Sequence, residues 1–426
     1  MEKFVIEGGQ RLAGTVVPSG NKNEALPALA ATLLTDEPVV LDNVPRIRDA
    51  EVMCQVLEQA GATVDWLGPN RVRICNANVR PELDADLCRR IRASILFAGP
   101  MVARMNKVVL PPPCGDVIGR RRLDTHFHAF EALGARVGVK QAYDIRADRL
   151  QGQDIFLDEA SVTATENAIM AASLASGTTV LRNAASEPHV SNLARMLVGM
   201  GAQIDGIGTN TLTIEGRERL GGTEHSIGSD YLEIGSFMGL AAVTGSALTI
   251  DRVAAEDLRM IRMVFERLGV RSEVEDGKLF VPADQQMEIR PDYGNQVPKI
   301  DDAPWPAFPT DLMSIAITVA TQCRGTVLFF EKMFEGRMFF VDHLQNMGAQ
   351  IILCDPHRVV IVGPQTLRGG RVESPDVRAG MALLIAGLCA EGTTHIYNIH
   401  QIDRGYERVD EKLRALGAHI QRVAVE

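Results

Sequence analysis

In the stretch that runs up to Gly61, the apolar residues Val52, Val56, Leu57 and Ala60 fall at i, i+4, i+5 and i+8, one face of a helix. The helix stops at Gly61, and Ala62-Thr63-Val64 starts a β-rich run. The same succession recurs at Leu133-Gly134-Ala135, Met200-Gly201-Ala202, Leu268-Gly269-Val270, Met347-Gly348-Ala349 and Leu416-Gly417-Ala418, with glycine intervals of 73, 67, 68, 79 and 69 residues. A second marker lies between most of these: an apolar helix ending in Gly177, Gly245, Gly325 or Gly392 before a new strand. Each repeat therefore reads strand, helix, strand, helix, strand, strand in about 70 residues. Six units of that size predict an α/β protein of two globular domains with three βαβαββ repeats each. Either the helices lie inside and the sheets outside, or the reverse.

Length and charge narrow the picture. A chain of 426 residues suggests two or three domains, which the repeat count reduces to two. Lys and Arg number 44 against 54 Asp and Glu, a net charge of −10 that argues against a nucleic-acid clamp. The seven cysteines are scattered with no C-x-x-C pair, which reads as reduced thiols without a zinc site. Glu2, Lys3 and Glu7 interrupt the pattern of a secretory leader, and no apolar run reaches 18 residues, so a cytoplasmic protein without a membrane partner is expected.

Several segments carry candidate chemistry. Ser19-Gly20-Asn21-Lys22-Asn23 opens a helix with Lys22 and Asn23 at its mouth, suited to a phosphate or carboxylate; a capped helix with a solvated lysine is the plainer alternative. Arg92 opens an apolar helix, where a cation is electrostatically misplaced unless an anion meets it. The richest stretch follows Pro111-Pro112-Pro113: Cys114, Gly115, Asp116, Gly119, then Arg120, Arg121 and Arg122, with Asp124 and His126 behind. It suits a loop that closes on an anion or, more plainly, a solvated face. Pro304, Pro306 and Pro309 stiffen the approach to Asp311, beyond what an N-cap needs. Arg337 and Arg404 each stand beside a glycine. No phosphate-loop, zincin or nucleophile-elbow motif is present.

Along essentially the whole chain these segments resemble the bacterial UDP-N-acetylglucosamine enolpyruvyltransferases, the MurA family. The matching pieces, in order, are Ser19-Gly20-Asn21-Lys22-Asn23, Arg92-Ala93-Ser94, the Gly119-Arg120-Arg121 loop with Asp124 and His126, Glu187-Pro188, Phe308-Pro309-Thr310-Asp311, Phe334-Glu335-Gly336-Arg337, Asp376-Val377-Arg378-Ala379 and Asp403-Arg404-Gly405-Tyr406-Glu407-Arg408. The resemblance implies two inside-out α/β barrel domains: residues 1–20 with 229–426, and residues 21–228 carrying a mobile loop 111–122. It implies transfer of the enolpyruvyl group of phosphoenolpyruvate to the 3′-hydroxyl of UDP-N-acetylglucosamine with release of phosphate, a step of peptidoglycan synthesis and hence of cell-wall biogenesis, cell shape and division. No cofactor or metal is implied.

By the same resemblance, Lys22, Asn23, Arg121 and Arg404 hold phosphoenolpyruvate, and Asp311 exchanges the proton of the sugar hydroxyl. Arg92, Arg121, Arg122, Leu123, Asp124, Thr125, Ser161, Val162, Thr163, Asp311 and Met333 line the nucleotide sugar. Arg120, His126, Arg337 and Asp376 support closure around both ligands. The family loop reads P-G-G-C-x-I-G-x-R, and anchoring on Ile118-Gly119 puts Asp116 where the general-acid Cys usually stands; Cys114 aligns with the first Gly. Some members carry the same Asp, so Asp116 is expected to be the proton donor. Its free pKa of about 3.9 must then rise on ligand binding, because three neighbouring arginines lower it. Fosfomycin, which alkylates the usual Cys, is expected not to inhibit. Arg122 stands where the family usually has Pro.

Three other readings remain. The shikimate-pathway relative, 5-enolpyruvylshikimate-3-phosphate synthase, has Gly-Ser-Lys-Ser and Asn-Ala-Gly-Thr segments that are absent here. A paralogue acting on another nucleotide sugar shares the chemistry. A non-catalytic nucleotide-sugar sensor has no need of Lys22, Asp311 and Arg404 together.

Overall fold

The computed structural model describes residues 2–115 and 118–425. The chain divides into a first unit of Met1–Ser19, Asp116–Arg120 and Ser229–Glu426, and a second of Gly20–Gly115 and Arg121–Gly228. The loop 111–122, expected whole in the 21–228 domain, is thus split: Ile118, Gly119 and Arg120 group with the first unit.

Each unit carries three sheets. In the first, Ala247–Ile250 runs parallel to Ala13–Val16 and antiparallel to Lys278–Val281, with Glu273–Glu275 beyond. Gly325–Phe330 lies likewise between Lys299–Asp301 and Arg358–Gly363, with Gln350–Asp355 outside. The third sheet of this unit orders Arg371–Glu373, Thr393–Tyr397, Glu2–Glu7 and His419–Ala424, so the first strand of the chain completes the last repeat. In the second unit the strands Glu224–Ser226, Val39–Asp42, Arg71–Cys75 and Thr63–Gly68 follow the same order, as do Asp154–Phe156, Thr178–Arg182, Thr211–Glu215 and Gln203–Asp205. The sixth sheet keeps only Lys107–Leu110, Tyr143–Arg146 and Arg136–Val139, its fourth position reduced to a parallel bridge between Glu82 and Val109.

Among the described residues, five strand–helix–strand–helix–strand–strand repeats and a sixth with its first strand reduced to a bridge follow, because each marker glycine does its expected work. Gly61, Gly134, Gly201, Gly269, Gly348 and Gly417 all have φ between 82° and 108°, the left-handed stop that frees the chain to turn into a strand. Asn106 (φ 59°) fills the second marker's place in the second repeat. The helices fall into two kinds. Tyr231–Val243, Met313–Ala320 and Val377–Cys389 are apolar on nearly every side and pack on one another inside the first unit. In the second unit, Lys22–Ala31, Val162–Ala172 and Arg92–Phe97 with Ala98–Met105 do the same. Helices such as Arg48–Ala60 and Arg259–Arg267 bury one face only. Helices inside and sheets outside is therefore the arrangement adopted, with one apolar core per unit.

A third repeated device follows the central strand. Asn43, Asn183 and Asn398 adopt φ near +57° (56°, 56° and 59°) and donate Nδ2–H to the carbonyls of Ile227, Leu157 and Ser374 at 2.8, 2.9 and 2.7 Å. Arg252 (φ 55°) stands in the equivalent place of a fourth repeat. After Leu110 and after Phe330 the device is missing, and the chain runs instead into the two segments richest in candidate residues.

Candidate active site

In the first unit, Asp311 sits in the turn Thr310–Leu312 that leads into the helix Met313–Ala320. Its carboxylate is held from both sides: Arg337 Nη2 donates to Oδ1 at 3.0 Å and Arg378 Nε to Oδ2 at 3.1 Å. Both arginines are buried, while a quarter of the Asp311 side chain (25%) faces solvent. Arg378 opens the helix Val377–Cys389, which Asp376 caps by accepting from the N–H groups of Arg378 and Ala379. Its guanidinium also lies over the Tyr406 ring at 5.3 Å. The prolines before Asp311 bring the residue in; the two guanidinium groups fix its direction.

Beneath this triad lies Glu331, fully buried. Its carboxyl accepts from the N–H groups of Met333 and Phe334, both at 3.0 Å, and from Thr310 Oγ1 at 2.9 and 3.1 Å, and it stands 3.7 Å from Arg337 Nε. Burial and the adjoining Asp302 carboxyl push its pKa up to about 8. Glu331 thereby shapes the turn that presents Met333.

The next residues dock the loop. Glu335 Oε1 accepts from Arg120 N–H at 2.9 Å and Gly336 N–H donates to the Ile118 carbonyl at 2.8 Å. A Cβ on Gly336 would fall 2.8 Å from the Ile118 carbonyl carbon, so the two backbones meet because Gly336 has no side chain, and one on Gly119 would fall 2.4 Å from Glu335 Oε2, so Gly119 leaves room for that carboxylate. Arg404 ends the short helix Ile399–Arg404 and donates to Gln401 Oε1 at 2.9 Å; its neighbour Asp403 is gripped by Arg422 through two bonds of 2.7 and 2.8 Å.

In the second unit, Lys22 is the first residue of the helix Lys22–Ala31, behind an Asn21 cap that accepts from Glu24 N–H. Its ammonium pairs with Asp49 at 2.8 Å, a partner with only 5% of its side chain exposed. Asn23 follows on the same turn. That helix packs on Arg92–Phe97, and Arg92 Nη2 donates to the Arg121 carbonyl at 3.0 Å. A Cβ on Gly115 would press on Arg92 and lie near the Arg121 guanidinium, so Arg92, Gly115 and Arg121 form one cluster.

His126 is fully buried in a chain of hydrogen bonds. Asn167 Nδ2 lies 2.9 Å from Nδ1 and Thr163 Oγ1 3.0 Å from Nε2, so with the amide as donor the ring is neutral and carries its proton on Nε2. Burial, seconded by Arg92, pushes the imidazole down to about 3. Asn167 also bonds Gly99 N–H and the Ile95 carbonyl, tying the Arg92 segment to the helix Val162–Ala172. Ser161, Val162 and Thr163 lie half-buried at the start of that helix.

Arg122 is drawn into ion pairs with Asp124 at 2.8 Å and Asp158 at 3.1 Å, and Thr125 donates to Asp158 at 2.7 Å. The Leu123 side chain belongs to the core, so only its backbone is placed to meet a ligand. Asp116 lies outside the described residues; Cys114, two residues before it, is an exposed free thiol.

Asp49, Asp158, Asn167, Glu331 and Arg378 were not singled out from the sequence. Arg378 stood inside a recognised motif, and Glu331 directly follows an apolar strand, the one signal that an acid there would be buried.

The sequence model of the family described as EPSP synthase (3-phosphoshikimate 1-carboxyvinyltransferase) matches residues 6–413. Among curated proteins, the UDP-N-acetylglucosamine 1-carboxyvinyltransferases of Bradyrhizobium diazoefficiens and Treponema denticola are 58% and 56% identical over 422 residues, covering 99% of this chain and 98% and 99% of theirs. That of Bacteroides thetaiotaomicron is 49% identical over 99% of this chain and 100% of its own. Among solved structures, the enolpyruvyl transferase NikO from Streptomyces tendae superposes with a TM-score of 0.89 at 24% identity, covering 100% and 99% of the two chains. EPSP synthase from Acinetobacter baumannii superposes with a TM-score of 0.77 at 17% identity over the full length of both. The chain belongs to the EPSP synthase family of enolpyruvyl transferases.

Proposed function

We propose that the protein is a UDP-N-acetylglucosamine 1-carboxyvinyltransferase, an enzyme of peptidoglycan precursor synthesis working on soluble substrates in the cytoplasm. The observation that carries the reading is Asp311, a partly exposed carboxylate aimed by Arg337 and Arg378. Relatives of that name, identical at 58% and 56% of positions across nearly the whole chain, support it. Among the described residues, no helix is long and apolar enough to cross a membrane.

In this reading Lys22, Asn23, Arg121 and Arg404 hold the phosphate and carboxylate of phosphoenolpyruvate through charge-assisted bonds. Asp49 keeps the Lys22 ammonium in place. The 3′-hydroxyl oxygen of the sugar attacks C2 of the enol, Asp311 accepts the hydroxyl proton, and Asp116 delivers a proton to C3, giving a tetrahedral intermediate. Loss of phosphate and of a C3 proton restores the double bond. Arg92, Arg122, Leu123, Asp124, Thr125, Ser161, Val162, Thr163 and Met333 line the nucleotide sugar, the leucine through its backbone. His126 acts as a neutral strut that holds Thr163 beside Arg92, and Arg120 and Asp376 are supporting residues. Phosphate release from phosphoenolpyruvate, measured with UDP-N-acetylglucosamine and separately with shikimate-3-phosphate, tests the proposal. Release with the first acceptor alone is expected; release with the second alone, or with neither, overturns it.

A further inference from the structure

The parallel strands Lys299–Asp301 and Gly325–Phe330 are in register, Asp301 opposite Phe330, so the next residues, Asp302 and Glu331, stand side by side at the strand ends. Both are fully buried. Asp302 Oδ1 accepts from Lys332 N–H at 2.6 Å, while Asp302 Oδ2 is buried without a hydrogen-bond donor. Two ionised carboxylates in this position would repel each other, and one would leave an oxygen unsatisfied in the protein interior.

The surroundings supply the pair with one positive charge, which it shares with Asp311. Around the pair lie Arg337, the Thr310 hydroxyl, and His357, whose Nδ1 is 2.7 Å from the Glu331 carbonyl and not from its carboxyl. The ammonium groups of Lys299 and Lys332 are paired with Asp301. Arg337 gives Nη2 to Asp311 and is also acted on by Asp376, while its buried Nε, 3.7 Å from Glu331 Oε2, makes no hydrogen bond. Across the cluster, the two buried guanidinium groups Arg337 and Arg378 face four carboxyl groups, those of Asp230, Asp311, Glu331 and Asp376, and Asp302 adds a fifth beside Glu331.

We infer that Asp302 and Glu331 hold one proton between them, and that this proton leaves Arg337 to Asp311, making the carboxyl pair a positioning element for the proton acceptor. The shared proton satisfies Asp302 Oδ2 and removes one of the adjacent charges. When it departs, Glu331 becomes a full anion 3.7 Å from Arg337 Nε and competes with Asp311 for the same guanidinium. The role in turnover rests on the function proposed above; the shared proton does not.

Two measurements on the full chain separate the two. Infrared difference spectra between neutral and basic pH are expected to show a protonated-carboxyl carbonyl band that disappears as pH rises. Glu331→Gln and Asp302→Asn should each remove the pair's part of that band, leaving only that of the buried Glu166 carboxyl, which burial and Glu187 also hold well above the usual range, and Asp311→Asn should keep both. Absence of the band from the wild type, or an undiminished band in both pair variants, overturns the inference, whatever the activity. In turnover, wild-type kcat should fall as pH rises past the Glu331 value of about 8. That fall approaches about tenfold per pH unit, whereas in Glu331→Gln it should shrink below about twofold. An unchanged basic limb in Glu331→Gln overturns the positioning role. A protein that shows the band but releases no phosphate with any acceptor refutes the proposed function and leaves the shared proton standing.

Discussion

Gly336 donates its N–H to the carbonyl of Ile118 at 2.8 Å, closing two glycine-bearing strands of chain against each other. The backbone of Gly336 is ordinary in φ (−96°), so alanine there tests the close approach alone. We predict that Gly336→Ala lifts the loop from Glu335 and lowers kcat by about 10- to 100-fold, for the loss of about 1–3 kcal/mol of docking. Spread over a chain of 426 residues, that loss lowers the melting temperature by only about 1–4 °C. Steady-state kinetics beside calorimetry decide it; a variant with normal turnover would show the docking to be incidental.

Asp49 is predicted to act through Lys22. Asp49→Asn keeps the size of the partner and removes its charge, so KM for phosphoenolpyruvate should rise about tenfold, the equivalent of about 1.4 kcal/mol, while KM for the nucleotide sugar changes little. An equal rise in both constants would show that Asp49 serves the fold and not the phosphate site.

Arg378→Lys preserves charge but loses the directed Nε–H that meets Asp311 Oδ2. A carboxylate held from one side only is misaligned for proton transfer, and kcat should fall about 100-fold with sugar binding nearly intact. Comparing kcat with the dissociation constant of the sugar separates the two effects.

His126 gives a pH prediction with a definite sign. The folded protein holds its imidazole at about 3, below the free value of 6.5, so the unfolded chain takes up the proton first. The contribution of this residue to stability is complete above pH 6.5 and declines as pH falls from 6.5 towards 3. The slope is at most about 1.4 kcal/mol per pH unit. Urea unfolding of the wild type and His126→Gln should diverge in slope over that window; parallel profiles would mean that the ring is charged in the native state.

With Asp116 where the family usually has a reactive cysteine, the protein should turn over normally in fosfomycin, because a carboxylate is a far poorer nucleophile than a thiolate. Asp116→Cys should confer inhibition and a covalent adduct. An adduct at Cys114 of the wild type, seen by mass spectrometry, would contradict this.

The repeat was legible because it is local: a glycine forced into left-handed geometry at Gly61 or Gly417 announces a helix end in three residues. Asn106 was not, since asparagine serves the same turn without standing out in sequence. Lys22, Asp311 and Arg337 could be picked out from their segments, but what directs them could not. Asp49 lies 27 positions from Lys22, Arg378 67 positions from Asp311, and Asn167 41 positions from His126. Such pairings exist only once the inner helices are packed. Glu331 belongs to none of the segments singled out in the sequence, and only the register with Lys299–Asp301 reveals that a second acid waits beside it.

The strand Glu2–Glu7 lies between Thr393–Tyr397 and His419–Ala424, antiparallel to both. During synthesis it emerges before either neighbour. At about 5–20 residues per second it waits roughly 20–80 s for them, time enough for residues 20–228 to fold. Throughout that interval its two edges are unsatisfied on the ribosome, and Glu2, Lys3 and Glu7 are the charges that discourage other chains from pairing with it. Neutralising all three should therefore reduce the yield of soluble protein from translation more than it reduces the stability of the finished molecule.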